Sequence, residues 1–220
     1  MKKAIALILS NIALFVSSSF AQSAKEGVVS YSISVEDMPA DKKEASLIPV
    51  TAVHYSKGAL TRLDIRNGIG TTSLISDRST RKSVVVDGKV VTSLSDSAML
   101  QYLNFEIKEA NRTEEKKSIA GTNCTRFRLN VYHPNNDSFD ETNAWSAETL
   151  VLSTSPEITF EGVRGFPMEF DLFKEGRRLH FVATKIEIKN VEPSLFVMPK
   201  ATEIKQMANP EMKESKMEIK

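Results

Sequence analysis

The stretch RKSVVVDGKVVTSL, residues 81–94, decides the fold. Two runs rich in β-branched residues, 81–86 and 89–94, flank the dipeptide Asp87-Gly88. Such a dipeptide favours the positive φ angles of a two-residue turn, so the runs are predicted to pair as an antiparallel hairpin. A sheet built from hairpins grows by local return of the chain, without the helical crossovers that parallel strands need.

Working outward, the same period of two recurs on both sides. In 28–35, Val29, Tyr31, Ile33 and Val35 share one face and three serines the other. Residues 36–49, with Pro39, Asp41, Lys42 and Lys43, break the alternation and are expected to form an exposed excursion. A second hairpin is expected over 51–56 and 60–66 around Lys57-Gly58, ended by Asn67-Gly68, and a further strand over 71–76. Residues 95–103 change period: Met99, Leu100 and Leu103 fall on one helical face behind Asp96 as N-cap, predicting a short helix.

Alternation returns over 105–111, a polar, charged turn follows, and 118–132 is expected as a strand broken at Gly121. Residues 132–143, dense in Asn, Asp and Glu, are expected as a surface loop, and 145–152 as a strand that ends before a turn at Pro156. Phe166, Met168, Phe170 and Leu172 alternate with Glu169 and Asp171, and Glu175-Gly176 turns the chain. The strand at 178–189 is apolar on both faces, with Leu179, Phe181 and Ala183 on one and Val182, Ile186 and Ile188 on the other, which predicts cover on both sides of the sheet. Roughly ten strands, a short helix and no βαβ alternation predict a mainly β protein, one large, curved antiparallel sheet.

Residues 1–21 have the three zones of an export signal: Lys2 and Lys3, an apolar run from Ala4 to Val16, and small residues Ser19 and Ala21 before the expected cleavage site. The apolar run is shorter than the roughly 20 residues of a bilayer span, so a cleaved leader and a periplasmic location are expected, with no membrane span afterwards. Residues 22–206 are expected to form a single domain and 207–220 a charged tail. The leader holds two of the 29 basic residues and no acid, which leaves 27 against 28 acidic residues. That near-neutral balance argues against nucleic acid as a partner. The lone cysteine, Cys124, excludes an intrachain disulfide.

Little in the sequence points to chemistry. His54, His133 and His180 stand apart, without metal-ligand spacing, so core or surface histidines are the plainer reading. Asp137, Asp140 and Glu141 offer oxygen ligands suited to calcium but lack the alternating acids and central glycine of a calcium loop, and a solvated acidic loop is the plainer reading. Cys124 shares its strand face with Arg126 and Arg128 but has no assignable base. Serine-nucleophile, phosphate-loop and dinucleotide motifs are absent, so neither an enzyme nor a cofactor is expected.

Four segments carry a resemblance: Ile119-Ala120-Gly121 with Cys124 three residues on, Ala144-Trp145-Ser146-Ala147-Glu148, Gly165-Phe166-Pro167-Met168-Glu169-Phe170, and Ser194-Leu195-Phe196-Val197-Met198-Pro199. Together they resemble an exported domain-of-unknown-function family, family 4412, related to the GLPGLI-type proteins. Met168 stands where the second glycine of a GLPGLI motif would be, which favours the sister family. These domains are similar in fold to lipoprotein-localisation proteins, and the resemblance implies an unclosed β half-barrel with helices on its concave side.

On that fold, Val29, Tyr31, Phe127, Leu129, Trp145, Phe166, Met168, Phe170, Phe181 and Phe196 are expected to line the concave face and hold an acyl chain or other apolar molecule. The rival expectation is a cell-envelope interaction module with a filled core and a protein partner at a strand edge or the acidic loop. An open cavity of about 300 Å³ or more separates the first from the second.

Overall fold

A computed structural model describes residues 26–36, 39–95, 105–174 and 177–199. The expected leader and tail, the helix over 95–103 apart from Ser95, and the Glu175-Gly176 turn lie outside them. Eleven strands run along the chain: β1 (Gly27–Val35), β2 (Thr51–Lys57), β3 (Leu60–Arg66), β4 (Thr71–Asp77), β5 (Lys82–Asp87), β6 (Val90–Leu94), β7 (Glu106–Ile119), β8 (Thr122–His133), β9 (Ser138–Ala147), β10 (Phe166–Lys174) and β11 (Arg177–Ile188). They form one antiparallel sheet in the order β6-β5-β4-β3-β2-β1-β11-β10-β9-β8-β7. Two meanders, β1–β6 and β7–β11, are thus joined where the first strand pairs with the last.

The sheet is not closed: β6 and β7 are its two edges. Chain reach nevertheless requires it to curve. Ten interstrand spacings of about 4.8 Å would set the edges of a flat sheet about 48 Å apart. The twelve Cα steps from Leu94 to Glu106 span at most about 43 Å when fully extended. An open, curved sheet is therefore the architecture that this connection allows.

Pairing corrects several expectations. The first turn of the 81–94 hairpin is Gly88-Lys89, because Asp87 stays in the ladder opposite Val90. Gly88, at φ +57°, supplies the left-handed first position. Likewise Lys57 pairs with Leu60, and Gly58-Ala59 turn the chain. Gly121 does not break a strand; Ala120 (φ +46°) and Gly121 (φ +76°) are the turn between β7 and β8. The charged run 112–117, expected as a turn, lies within β7. Its charges suit an edge strand, which must be kept from pairing with other chains.

The loop expected over 132–143 shrinks to the turn 134–137, and β9 already starts at Ser138 and stops at Ala147, not at 152. Polar residues enter the strand because pairing with β8 satisfies their backbone, while Thr142 and Ala144 turn inward. In β11, Ser30 pairs with Lys185 and Tyr31 with Ala183, leaving Thr184 as a bulge. The bulge flips the side-chain parity, so Ile186, opposite the buried Val29, joins the face of Ala183 instead of the other face. Cover on the far side comes elsewhere: Val191 and Phe196, in and before the 3-10 turn Pro193–Phe196, pack on Val28 beside Val53, Tyr55 and Leu60.

The main core lies on the opposite, concave face. Residues 148–165, between β9 and β10, cross it as a strap: Ser153 donates its N–H to Ser56 Oγ (3.0 Å) and its hydroxyl to the Gly58 carbonyl, and Ser155 N–H reaches His54 Nε2. Ile158 and Phe160 of the strap are buried against the sheet. Gly165 returns the chain to β10 at φ +87°, where a Cβ would lie 2.5 Å from both Ala147 O and Glu148 Cα. Among the described residues no helix is long and apolar enough to cross a membrane.

Candidate functional site: a filled concave face and a cleft at its rim

Of the ten residues expected on the concave face, eight meet there. Val29, Tyr31, Phe127, Leu129, Phe166, Met168, Phe170 and Phe181 share one buried cluster. Phe170 stacks on Phe181 at 5.0 Å and meets the edge of Tyr31 at 5.6 Å, and Phe160 of the strap lies 5.3 Å from it. Tyr31 donates its hydroxyl to the Pro167 carbonyl at 2.8 Å. With Phe166, Met168, Phe170 and Phe181 at 0 % exposure, these side chains fill the face themselves.

The other two are corrected. Trp145 pairs with Arg126, whereas its neighbour Ala144 pairs with Phe127, so the indole leaves the sheet on the other face, half-buried and packed only against the margin of the cluster. Lys117 Nζ sits 4.2 Å above its ring. Phe196 packs on Val28, whose side chain points away from the face of Val29. Both residues are large and apolar, but neither position is set by period two alone: one depends on register and the other on a turn after the last strand.

A cleft of about 420 Å³ opens at the rim instead, where the second half of the excursion meets four strand ends. Its floor is Ile48, Ile65 and Leu179, and Leu47, Pro49 and Ile69 form the lip. The local chemistry that builds it is explicit. Asp41 caps α1 (Lys42–Ala45) by accepting from Glu44 N–H at 2.9 Å. Asn67 Oδ1 accepts from Ile69 N–H (3.0 Å) and Gly70 N–H (2.9 Å), and its Nδ2 donates to Leu47 O. Gly68 donates its N–H to Ser46 O at 2.8 Å, so close that a Cβ there would lie 3.0 Å from the same oxygen. Those bonds hold Leu47 at 50 % and Ile69 at 69 % exposure, with Val50 also exposed nearby in sequence. Thr71, Thr72, Asp87 and Gly88 complete one wall and Glu44 and Arg177 the other. Glu44 forms an ion pair with Arg177 Nη2, while Arg177 Nη1 is buried without a hydrogen-bond partner among the described residues.

Reading 36–49 as excursion alone passed over this site. The signal available was Leu47-Ile48-Pro49-Val50, an apolar run inside an otherwise charged segment, next in space to the Asn67-Gly68 turn.

The titratable candidates are dispersed. His54 is buried on the concave side, 5.2 Å from the Phe166 ring, and burial lowers its pKa to about 3. Cys124 is buried, donates to the Thr122 carbonyl at 3.4 Å, and burial pushes its thiol up to about 11. Such a thiol is not a nucleophile at neutral pH. On the convex face His180 Nδ1 lies 2.7 Å from Asp171 Oδ1, and Lys117 Nζ bonds both Glu169 oxygens at 2.7 Å, with Glu169 3.9 Å from His180 Nε2. Hydrogen bonding to Asp171 raises the His180 pKa. Burial works to raise the Asp171 carboxyl, and the bonds from His180 and Thr142 outweigh it, leaving its pKa below the ordinary value. Within this network Asp171 bridges His180 and the Thr142 hydroxyl.

Asp137 accepts from the Tyr132 hydroxyl at 2.9 Å, and Asp140 lies 3.2 Å from His133 Nε2. Asp140 and Glu141 are successive strand residues pointing to opposite faces, so the three acids do not converge. Compared with known proteins, the chain matches no family model and no curated protein.

Proposed function

We propose that this is a non-catalytic binding protein of the cell envelope, exported through a cleaved leader to the periplasm, that takes an apolar ligand in the rim cleft. The observation that carries the proposal is the cleft itself: about 420 Å³ bounded by Ile48, Ile65, Leu179, Leu47 and Ile69, in a chain whose other large side chains mostly bury themselves. A concavity of that size, with an aliphatic floor between polar and charged walls, is within the range of small-molecule sites. The relation to the exported family named above belongs to the same proposal.

The test is mass spectrometry of an organic extract of the protein purified without detergent. A stoichiometric apolar species is expected. An empty extract, repeated after incubation with total membrane lipid, contradicts the proposal. In that case the exposed Leu47 and Ile69 favour the rival, an envelope module that docks a protein partner on this lip.

A further inference from the structure

Resting on the reading of the rim cleft as a site for an apolar ligand, the wall formed by Glu44 and Arg177 says what kind of head group that ligand carries. A guanidinium offers parallel N–H groups that match a carboxylate two at a time. Here the match is half made: Glu44 meets Nη2, and Nη1 is left buried with no acceptor among the described residues. A buried donor without a partner is costly, so an acceptor that satisfied both nitrogens would be favoured over one that satisfies a single nitrogen.

Glu44 is also poorly placed to keep its position. Its side chain is half exposed and sits on a four-residue helix with no buried residue. Exposed ion pairs of this kind contribute little and exchange readily. The other acid of the lining, Asp87, belongs to the wall on the β5 side, and among the described residues of the lining Arg177 is the one cation.

We infer that the rim cleft binds a free single-chain fatty acid, its tail on Ile48, Ile65 and Leu179 and its carboxylate on both Nη atoms of Arg177 in place of Glu44. The exchange substitutes one carboxylate for another, so the charge at Arg177 stays balanced, while the released Glu44 turns to water. Neutral chains of the same length fill the aliphatic floor but leave Nη1 as it is.

The experiment is calorimetric titration of the purified full chain with dodecanoate, held below its micelle concentration, and with its uncharged methyl ester. Dodecanoate is expected to bind about tenfold more tightly than the ester, the scale of one charge-assisted hydrogen bond. Arg177→Gln is expected to abolish that preference, and a cooperative urea unfolding transition shows the variant to be folded. Glu44→Gln, with the competing carboxylate gone, is expected to bind dodecanoate more tightly than the parent. Equal affinities in the parent, a preference that survives in R177Q, or no gain in E44Q overturns the inference and leaves the cleft reading standing. Absence of binding by either compound overturns both.

Discussion

His54 accepts Ser155 N–H on Nε2, so its proton sits on Nδ1, which is buried without a partner among the described residues. Its folded pKa is about 3, against 6.5 for an ordinary histidine, so the unfolded chain takes up a proton in a range where the folded chain does not. Stability is therefore intact above pH 6.5 and falls as the pH drops towards 3. Between pH 7 and 4.5 the loss from this residue is about 2–3 kcal/mol. His54→Gln keeps an acceptor for Ser155, and its urea midpoint is expected to fall less than the parent's over that interval. His180 works in the opposite direction: its pKa is raised by Asp171, so what it contributes is complete below pH 6.5 and is lost as the pH rises through the folded pKa. Asp171, with its pKa lowered, contributes above pH 3.8 and loses that as the pH falls through its folded pKa. The difference in unfolding midpoint between parent and His180→Ala is accordingly expected to be largest between about pH 4 and 6.5 and to shrink towards pH 8. Neither imidazole's environment was legible in the sequence. Both are strand residues at ordinary spacing, and what separates them is which neighbours the register brings: Val29 and Leu63 beside His54, Asp171 and Ser34 beside His180.

At the level of elements, alternation found the strands that have one apolar face and missed those that do not. β1, β10 and the first half of β11 were legible because Val29, Tyr31, Phe170 and Phe181 recur at period two. β7 was read as strand, turn and strand because its middle is charged, and a strand with one neighbour has little apolar duty to display. Two bulges, between Ile107 and Glu109 and between Arg112 and Lys116, further scramble its period. If those charges guard the edge, Glu109→Val with Glu114→Val is expected to raise the sedimentation coefficient with concentration relative to the parent; unchanged sedimentation contradicts the role. The strap was also misread, as a strand up to 152, because Leu150 and Leu152 look like sheet residues when their target is the concave core. Its re-entry depends on Gly165, whose positive φ and contact with Ala147 O admit no side chain. Gly165→Ala is expected to cost at least 1–3 kcal/mol in denaturant unfolding, the scale of left-handed strain for a residue with a Cβ, before the steric contact is added.

For the whole molecule, an unclosed antiparallel sheet follows from hairpin after hairpin plus the short link between its two edges. Among the described residues the middle of its concave face is filled, since the strap and five aromatic rings occupy the volume in which a ligand was expected. A cleft with an aliphatic floor lies, among the described residues, at the rim, where the 41–50 segment and the Asn67 turn hold aliphatic side chains out from the sheet end. Sequence carried the residues of the concave face but not its filling, because the same apolar alternation serves a dry core and a binding face alike. The most direct measurement is methyl NMR of the protein labelled at isoleucine δ1 carbons, titrated with dodecanoate methyl ester. The account predicts progressive shifts at Ile48, Ile65 and Ile69, with Ile158 and Ile186 unmoved. Shifts centred on Ile158, under the strap, or none at all, would contradict it.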